Sequence, residues 1–418
     1  MARRLHARAA LTVALVATLG VLWWAPRAKS AARPTDFARE MSSIDADLAV
    51  LRPRAADDPD TATRLAFQLY HRATMTAQSG DFAPALAAVN RALDDWPNPD
   101  LWLLRATMDL RFHRLEDARQ HVNAIDEADR VDGAQLLLAD IDVQRGAYAE
   151  ARRRLDVVIE RNGTWDARSR LAWIFAREGD LAAADREYAG AEADLTAKEM
   201  RACAWLEVQW GQMYFARGQY DRARAHYERA HRAYSGYWLE DEYDAELLAA
   251  SGRFDAAVAR YMDAIDRAPR PDLLQQLGDL YVVMGRPREA RLWHDRALAG
   301  YLGSAGTGDV QFFHHLATFY SDVRPDGPKA VEWANKDYAL RPNEITADAV
   351  AWALYRSGRT NDAIDMSTRS LAGGIVDAHM LFHAAVINEA AGHAADAQRL
   401  RAALDALNPR YRDFHAHR

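Results

Sequence analysis

Alanine returns in a fixed register along this chain: Ala85, Ala118, Ala151, Ala184, Ala223, Ala257, Ala290, Ala330, Ala363 and Ala397 follow at steps of 33, 33, 33, 39, 34, 33, 40, 33 and 34. The composition is rich in alanine, so one coincidence means little, but ten in register constrain the fold more than any other feature. A second ruler runs twelve residues upstream, thirteen in the eighth unit, through Ala73, Ala106, Ala139, Ala172, Gly211, Ala245, Gly278, Ala317, Ala351 and Ala385. Every member is Ala or Gly.

Between the two rulers, five residues before the downstream alanine, stand Gly80, Gly146, Gly179, Gly218, Gly252, Gly285, Gly358 and Gly392, with His113 and Pro325 as the exceptions. A glycine there ends a helix, because it accepts the left-handed conformation of a C-terminal cap. Apolar residues recur at three- and four-residue spacing on both sides, as in "AWLEVQWGQMYFARGQYDRARAHYERA" from Ala204 to Ala230, so each unit reads as two helices joined by a short turn. Small facing residues let such helices approach to roughly 8 Å. The positions that set this contact include Gly211, Ala223, Ala257, Gly278, Ala290, Ala317, Ala330 and Ala351. Phe175, Tyr214, Tyr281 and Tyr320 should wedge the junctions between units, and Pro97, Pro269, Pro342 and Pro409 should stop second helices.

These residues resemble the tetratricopeptide repeat, whose 34-residue unit reads W-x2-L-G-x2-Y, then A-x3-F, then A and P. "WGQMY" (Trp210 to Tyr214) and "LGDLY" (Leu277 to Tyr281) match closely, and "LATFY" (Leu316 to Tyr320) fairly. Units one, two and ten depart most, with Thr76, Asp109 and Asn388 at the tyrosine position. The resemblance implies an all-α, right-handed superhelical solenoid of about ten hairpins over residues 61–410. The 39-residue step, containing "AGAEADLTAKEMRACAW", reads as lengthened helices. The 40-residue step reads as a flexible loop over Gly300 to Val310 plus a longer turn over Ser321 to Lys329.

Around the solenoid, residues 1–32 read as a signal peptide or signal anchor, 33–60 as a linker with a short helix, and 411–418 as a frayed tail. Six cations and no anion fall in the first 33 residues, ahead of and around an uncharged, mainly apolar run from Ala9 to Pro26. That is the form of an export signal. Ser30-Ala31-Ala32 offers a cleavage site, whereas Trp23, Trp24, Arg27 and Lys29 suit a helix anchored at the membrane interface, and both fates stay open. The remainder then carries −13 of charge (−7 overall less the six cations), which argues against nucleic acid as a partner. The lone cysteine, Cys203, cannot form an internal disulfide and reads as a small core residue.

Nothing in the sequence forms a catalytic triad, a phosphate loop or a pair of carboxylates outside the repeat, so neither an enzyme nor a cofactor is expected. His314 and His315 are adjacent, but neighbours on a helix point about 100° apart, which speaks against a metal site. In the repeat family the inner helix of each unit lines a concave surface. Chaperone-binding members hold a carboxylate there with Lys, Asn and Arg; the corresponding positions here are Tyr70, Thr74, Leu104, Gly133 and Leu137, so that clamp is absent. In later units the groove positions are Trp173, Gln212, Glu242, Glu246, Gln275, Asp279, His314, Thr318, Asp348 and Trp352, an aromatic and acidic lining. It points to a basic, aromatic peptide segment of a protein partner. The Ala/Arg/Asp-rich composition suggests a bacterial envelope protein, periplasmic or held at the inner membrane, acting as a scaffold or adaptor. Self-assembly through the convex face or ends is the alternative, and a metal-binding protein or enzyme using His314 with groove carboxylates is a more remote one.

Overall fold

The computed structural model describes residues 33–126 and 132–415. Residues 1–32, with the apolar run, and residues 416–418 lie outside the described residues. From Asp36 onward the chain forms one compact unit. Helix α1 (Asp36–Leu51) precedes ten hairpins. Units one to three pair α2 (Pro59–Thr76) with α3 (Ser79–Asp95), α4 (Pro99–Arg111) with α5 (Leu115–Asn123), and α6 (Asp132–Gln144) with α7 (Tyr148–Asn162). Units four to six pair α8 (Trp165–Glu178) with α9 (Leu181–Asp194), α10 (Met200–Phe215) with α11 (Tyr220–Ala233), and α12 (Trp238–Ala250) with α13 (Phe254–Arg267). In units seven and eight, α14 (Pro271–Val283) pairs with α15 (Pro287–Gly306), and α16 (Phe313–Thr318), continued by a π-helical turn (Phe319–Val323), pairs with α17 (Gly327–Leu340). Units nine and ten pair α18 (Glu344–Arg356) with α19 (Thr360–Leu371) and α20 (Ala378–Ala390) with α21 (Ala394–Leu407). The chain is an all-α solenoid. Among the described residues there is no strand, and no helix is long and apolar enough to cross a membrane.

The two rulers are the contact line of every hairpin. All eighteen alanines on them are at most 2 % exposed. At Gly211 and Gly278 a methyl group would sit 2.4 Å from the ring of Tyr227 and 2.3 Å from that of His294, so at these two places the aromatic partner packs on bare backbone. Second helices stop before Pro97, Pro269, Pro342 and Pro409, as expected of a residue that cannot donate the next hydrogen bond. Tyr214, Tyr281 and Tyr320 are buried, and Phe175 joins two adjoining core clusters.

Four local expectations need correction. Gly80 ends no helix; it lies inside α3, and the left-handed cap falls on Ala77, at φ 51°. His113 takes the left-handed conformation itself, at φ 53°, in its glycine's stead. The glycine-rich stretch from Gly300 is helical as far as Gly306, because its alanine, leucine and tyrosine keep the helical period and Tyr301 is fully buried. The turn after it shrinks to Arg324–Asp326, and the 39-residue step combines a longer α10 with a non-helical stretch from 195 to 199.

The solenoid closes on itself, which the repeat pattern alone does not disclose. The intra-hairpin turns of units one, three and four dock on the segments that lead into helices five to six units further on, and that of unit five on the segment after the last helix. Trp238 Nε1 donates to Met75 O at 2.8 Å. Asn343 Nδ2 donates to Gln144 O at 2.9 Å, and Tyr148 OH to Glu344 Oε2 at 3.3 Å. Val376 N donates to Arg177 O at 2.7 Å, and the Arg177 guanidinium pairs with Asp377 at 2.9 Å. The turn glycines record the difference between the halves. A methyl added at Gly146, Gly179 or Gly218 would meet Glu344, Val376 or Asn408, whereas at Gly252, Gly285, Gly358 and Gly392 it would meet nothing within 4 Å.

Candidate functional site

First helices of units four to nine turn inward, so the groove residues share one concave face. They line two cavities of about 470 and 810 Å³ whose common walls include Thr318, Asp322 and His415. Trp173, Gln212, Glu242, Glu246, His314, Asp348 and Trp352 line the first, Gln275 and Asp279 the second, and Thr318 both. The sequence register therefore brings all ten positions together.

Within this aromatic and acidic lining the carboxylates have partners of their own. Asp279 faces His294 Nε2 at 2.8 Å, Asp348 faces His383 Nδ1 at 2.7 Å, and Glu246 lies 4.0 Å from His415 Nδ1. Glu242 accepts from Gln276 Nε2 at 2.8 Å. Three of these carboxylates are removed from bulk water, with Glu242 5 %, Asp348 6 % and Glu246 9 % exposed, and buried carboxylates require hydrogen-bonded or cationic company. Burial pushes the Glu242 carboxyl up to about 7 despite the offsetting pull of Arg270 and Gln276. Burial likewise raises Asp322, which accepts from Trp352 Nε1 at 2.8 Å. For His383 burial opposes the charged form, but Asp348 outweighs it and the imidazole rises above its ordinary value. The His383 ring stacks on Trp352, centroids 4.1 Å apart, and its Nε2 makes no hydrogen bond within the protein.

Trp173, Gln275 and Thr318 are also held in place. Arg177 lies 5.0 Å over the Trp173 ring, Gln275 Oε1 accepts from Tyr301 OH at 2.9 Å, and the Thr318 hydroxyl donates to His315 O at 3.1 Å. His314 reaches Asp337 of α17 at 3.3 Å rather than joining Glu246, Asp279 or Asp348, which removes the constellation the metal alternative requires. Among the described residues the group with metal-like convergence is His231, Glu240 and Asp241, and there Arg260 and Arg267 already hold Asp241. Cys203 is half-buried, and burial, Glu207 and Glu192 push its thiol up, the reverse of an activated nucleophile.

Sequence reasoning missed the histidines that answer the carboxylates. His294 sits on a second helix, His383 on the first helix of unit ten, and His415 beyond the last hairpin, where a frayed end was expected. Tyr411, Phe414 and His415 are instead 6, 8 and 8 % exposed, with Tyr411 packed on Phe382 and His415 on Phe215. His379 and His383, one helical turn apart, were the available signal.

The family model described as "Tetratricopeptide repeat" matches residues 77–132, within the units whose consensus tyrosine is lost. No curated protein matches the chain. Solved structures similar to it include MamA (18 % identity, 40 % of this chain and 97 % of that one, TM-score 0.33). A tetratricopeptide repeat protein from Parabacteroides merdae is 16 % identical over 58 % of this chain and 93 % of its own, with a TM-score of 0.35. The APC/C hetero-tetramer Cut9-Hcn1 is 15 % identical over 95 % and 79 %, at 0.44. At such scores and identities these likenesses add no weight of their own; the helical register and the family match inside it do. Ten small-residue hairpins thus stack in one continuous register, and over residues 77–132 that register matches the tetratricopeptide-repeat model.

Proposed function

We propose that this protein is a non-enzymatic scaffold that holds an extended, basic and aromatic segment of a protein partner on its concave face. One observation carries the reading: ten side chains from six successive first helices, acidic, aromatic or hydrogen-bonding, converge on the same pair of cavities. Repeats stacked this way present a continuous surface, and a cluster of carboxylates flanked by Trp173 and Trp352 favours a cation with an aromatic neighbour. The test is affinity capture from envelope extract with the wild-type chain and with Glu246→Gln/Asp348→Asn, an isosteric pair that keeps packing while removing charge. A partner specific to this face is lost from the variant and released by salt. Equal capture by both, with equal salt dependence, moves the site elsewhere.

Self-assembly is the second reading, drawing on Val282, Val283 and Leu292, which stand 57, 55 and 66 % exposed on the hairpin of unit seven. Sedimentation of the purified chain decides it: a monomer at micromolar concentration removes its basis. We further propose export, on the basic start and the apolar run from Ala9 to Pro26. An alkaline phosphatase fusion after Asp60 should be active in a bacterial host, and a reporter retained inactive in the cytoplasm overturns that reading.

A further inference from the structure

The segment that follows α21 crosses the binding face. Pro409 ends the helix, and Asn408, 1 % exposed, lies against the turn glycine Gly218. The Arg410 guanidinium sits 4.0 Å over the Tyr220 ring. Next, Tyr411, Phe414 and His415 turn inward while Arg412 faces solvent. Tyr411 packs on Phe382, ring centroids 5.4 Å apart. His415 lies 5.2 Å from the Phe215 ring and 4.0 Å from the Glu246 carboxylate. Phe414 enters the second cavity beside Asp279 and His294.

Covering the exposed end of unit ten would require only the Tyr411 contact with Phe382. The reach of His415 to units five and six, and of Phe414 to unit seven, goes beyond that end and onto the residues of the proposed site. The segment "NPRYRDFH" also has the chemistry that the face selects: two aromatic rings three residues apart, two arginines and a histidine against one aspartate. We propose that residues 408–415 are an internal occupant of the concave face, and that a partner segment of the same kind, aromatic residues alternating with Arg or His, binds by displacing them. This rests on the reading of the concave face as the binding site.

A labelled peptide covering residues 408–418 serves as the probe, titrated by anisotropy into the full chain, a chain ending at Leu407, and the full-length variant Tyr411→Ala/Phe414→Ala. The peptide is expected to bind the last two at least tenfold more tightly than the wild-type chain, a scrambled peptide to bind none of them, and Glu246→Gln in the truncated chain to weaken binding. Equal affinities for all three chains overturn the proposal, as does absence of binding by folded variants. Loss of cooperative melting in both variants makes the segment a structural cap and also overturns it. A wild-type dimer that both variants dissolve places the segment in a second copy, again against an internal occupant. If the peptide fails to bind while capture of the partner still depends on Glu246 and Asp348, the internal occupant falls and the binding face stands; if the peptide binds and capture is indifferent to those residues, the reverse holds.

Discussion

Arg177 and Asp377 are 200 positions apart in sequence, yet their side chains pair at 2.9 Å across the closure of the solenoid. Asp377 also caps α20, its carboxylate accepting from the backbone of His379 at 2.8 Å and of Met380 at 3.3 Å. Arg177→Ala therefore removes one partly exposed ion pair, worth up to about 1 kcal/mol, whereas Asp377→Ala removes the pair and a cap worth about 1 kcal/mol more. Chemical denaturation of the two single variants and the double variant measures the coupling. Additive effects would mean that the pair contributes nothing to holding the closure.

Ala257 is fully buried at the contact of α12 with α13, and Asp255 two residues earlier is exposed. Ala257→Arg places a long cation between helices that touch. Overpacking alone costs roughly 1 to 3 kcal/mol, and an unpaired buried charge adds to it. Asp255→Ala should stay within about 0.5 kcal/mol of wild type. Thermal melts of the two variants check the register directly, since coincident curves are incompatible with Ala257 at the seam.

How far a repeat sequence discloses its structure depends on the range of the interaction. Hairpins such as α12–α13 were legible because a seam needs small residues at both contact points, and a helix end needs Gly252 or its equivalent, a few residues away in the chain. Groove membership was legible for the same local reason: Glu242 and Asp348 hold one place in their units, and Glu246 and Asp279 another. Closure was not, because Asn343 meeting Gln144 depends on the small rotation added at every unit, and no single unit encodes that sum. The partners of the acidic lining were hidden with it. Asp348 and His383 stand in neighbouring units, but only curvature turns both rings and carboxylates toward one shared interior.

Gly278 tests how tightly the seam is built. A methyl there would lie 2.3 Å from the His294 ring, which is held by Asp279 on one side and packs against Phe319 on the other. Gly278→Ala should lose about 1 to 3 kcal/mol through overpacking, even though alanine favours a helix by roughly 1 kcal/mol. Adding His294→Ala to that variant should recover part of the loss, since the clash disappears with the ring. A Gly278→Ala protein more stable than wild type would show that the ring can retreat at little cost.

Glu242 gives the concave face a pH dependence with a definite sign. Burial raises its carboxyl from an ordinary 4.5 to about 7, so between those values the folded chain holds a proton that the unfolded chain has released. Stability on this account is greatest in acid and falls as pH rises from about 4.5 through 7, by at most a few kcal/mol, since each pKa unit corresponds to about 1.4 kcal/mol. Glu242→Gln keeps an acceptor for Gln276 and leaves Arg270 with its own partner, Asp272. The variant should therefore match wild type near pH 5 and exceed it near pH 8. Parallel stability curves from pH 5 to 8 would place the titration elsewhere. The same residue links protons to the ligand: a cation seated beside Glu242 favours its ionised form, so a basic peptide bound at pH 7 should release protons. Calorimetric binding enthalpies in buffers of different ionisation heat read that release, and Glu242→Gln should abolish the difference between buffers.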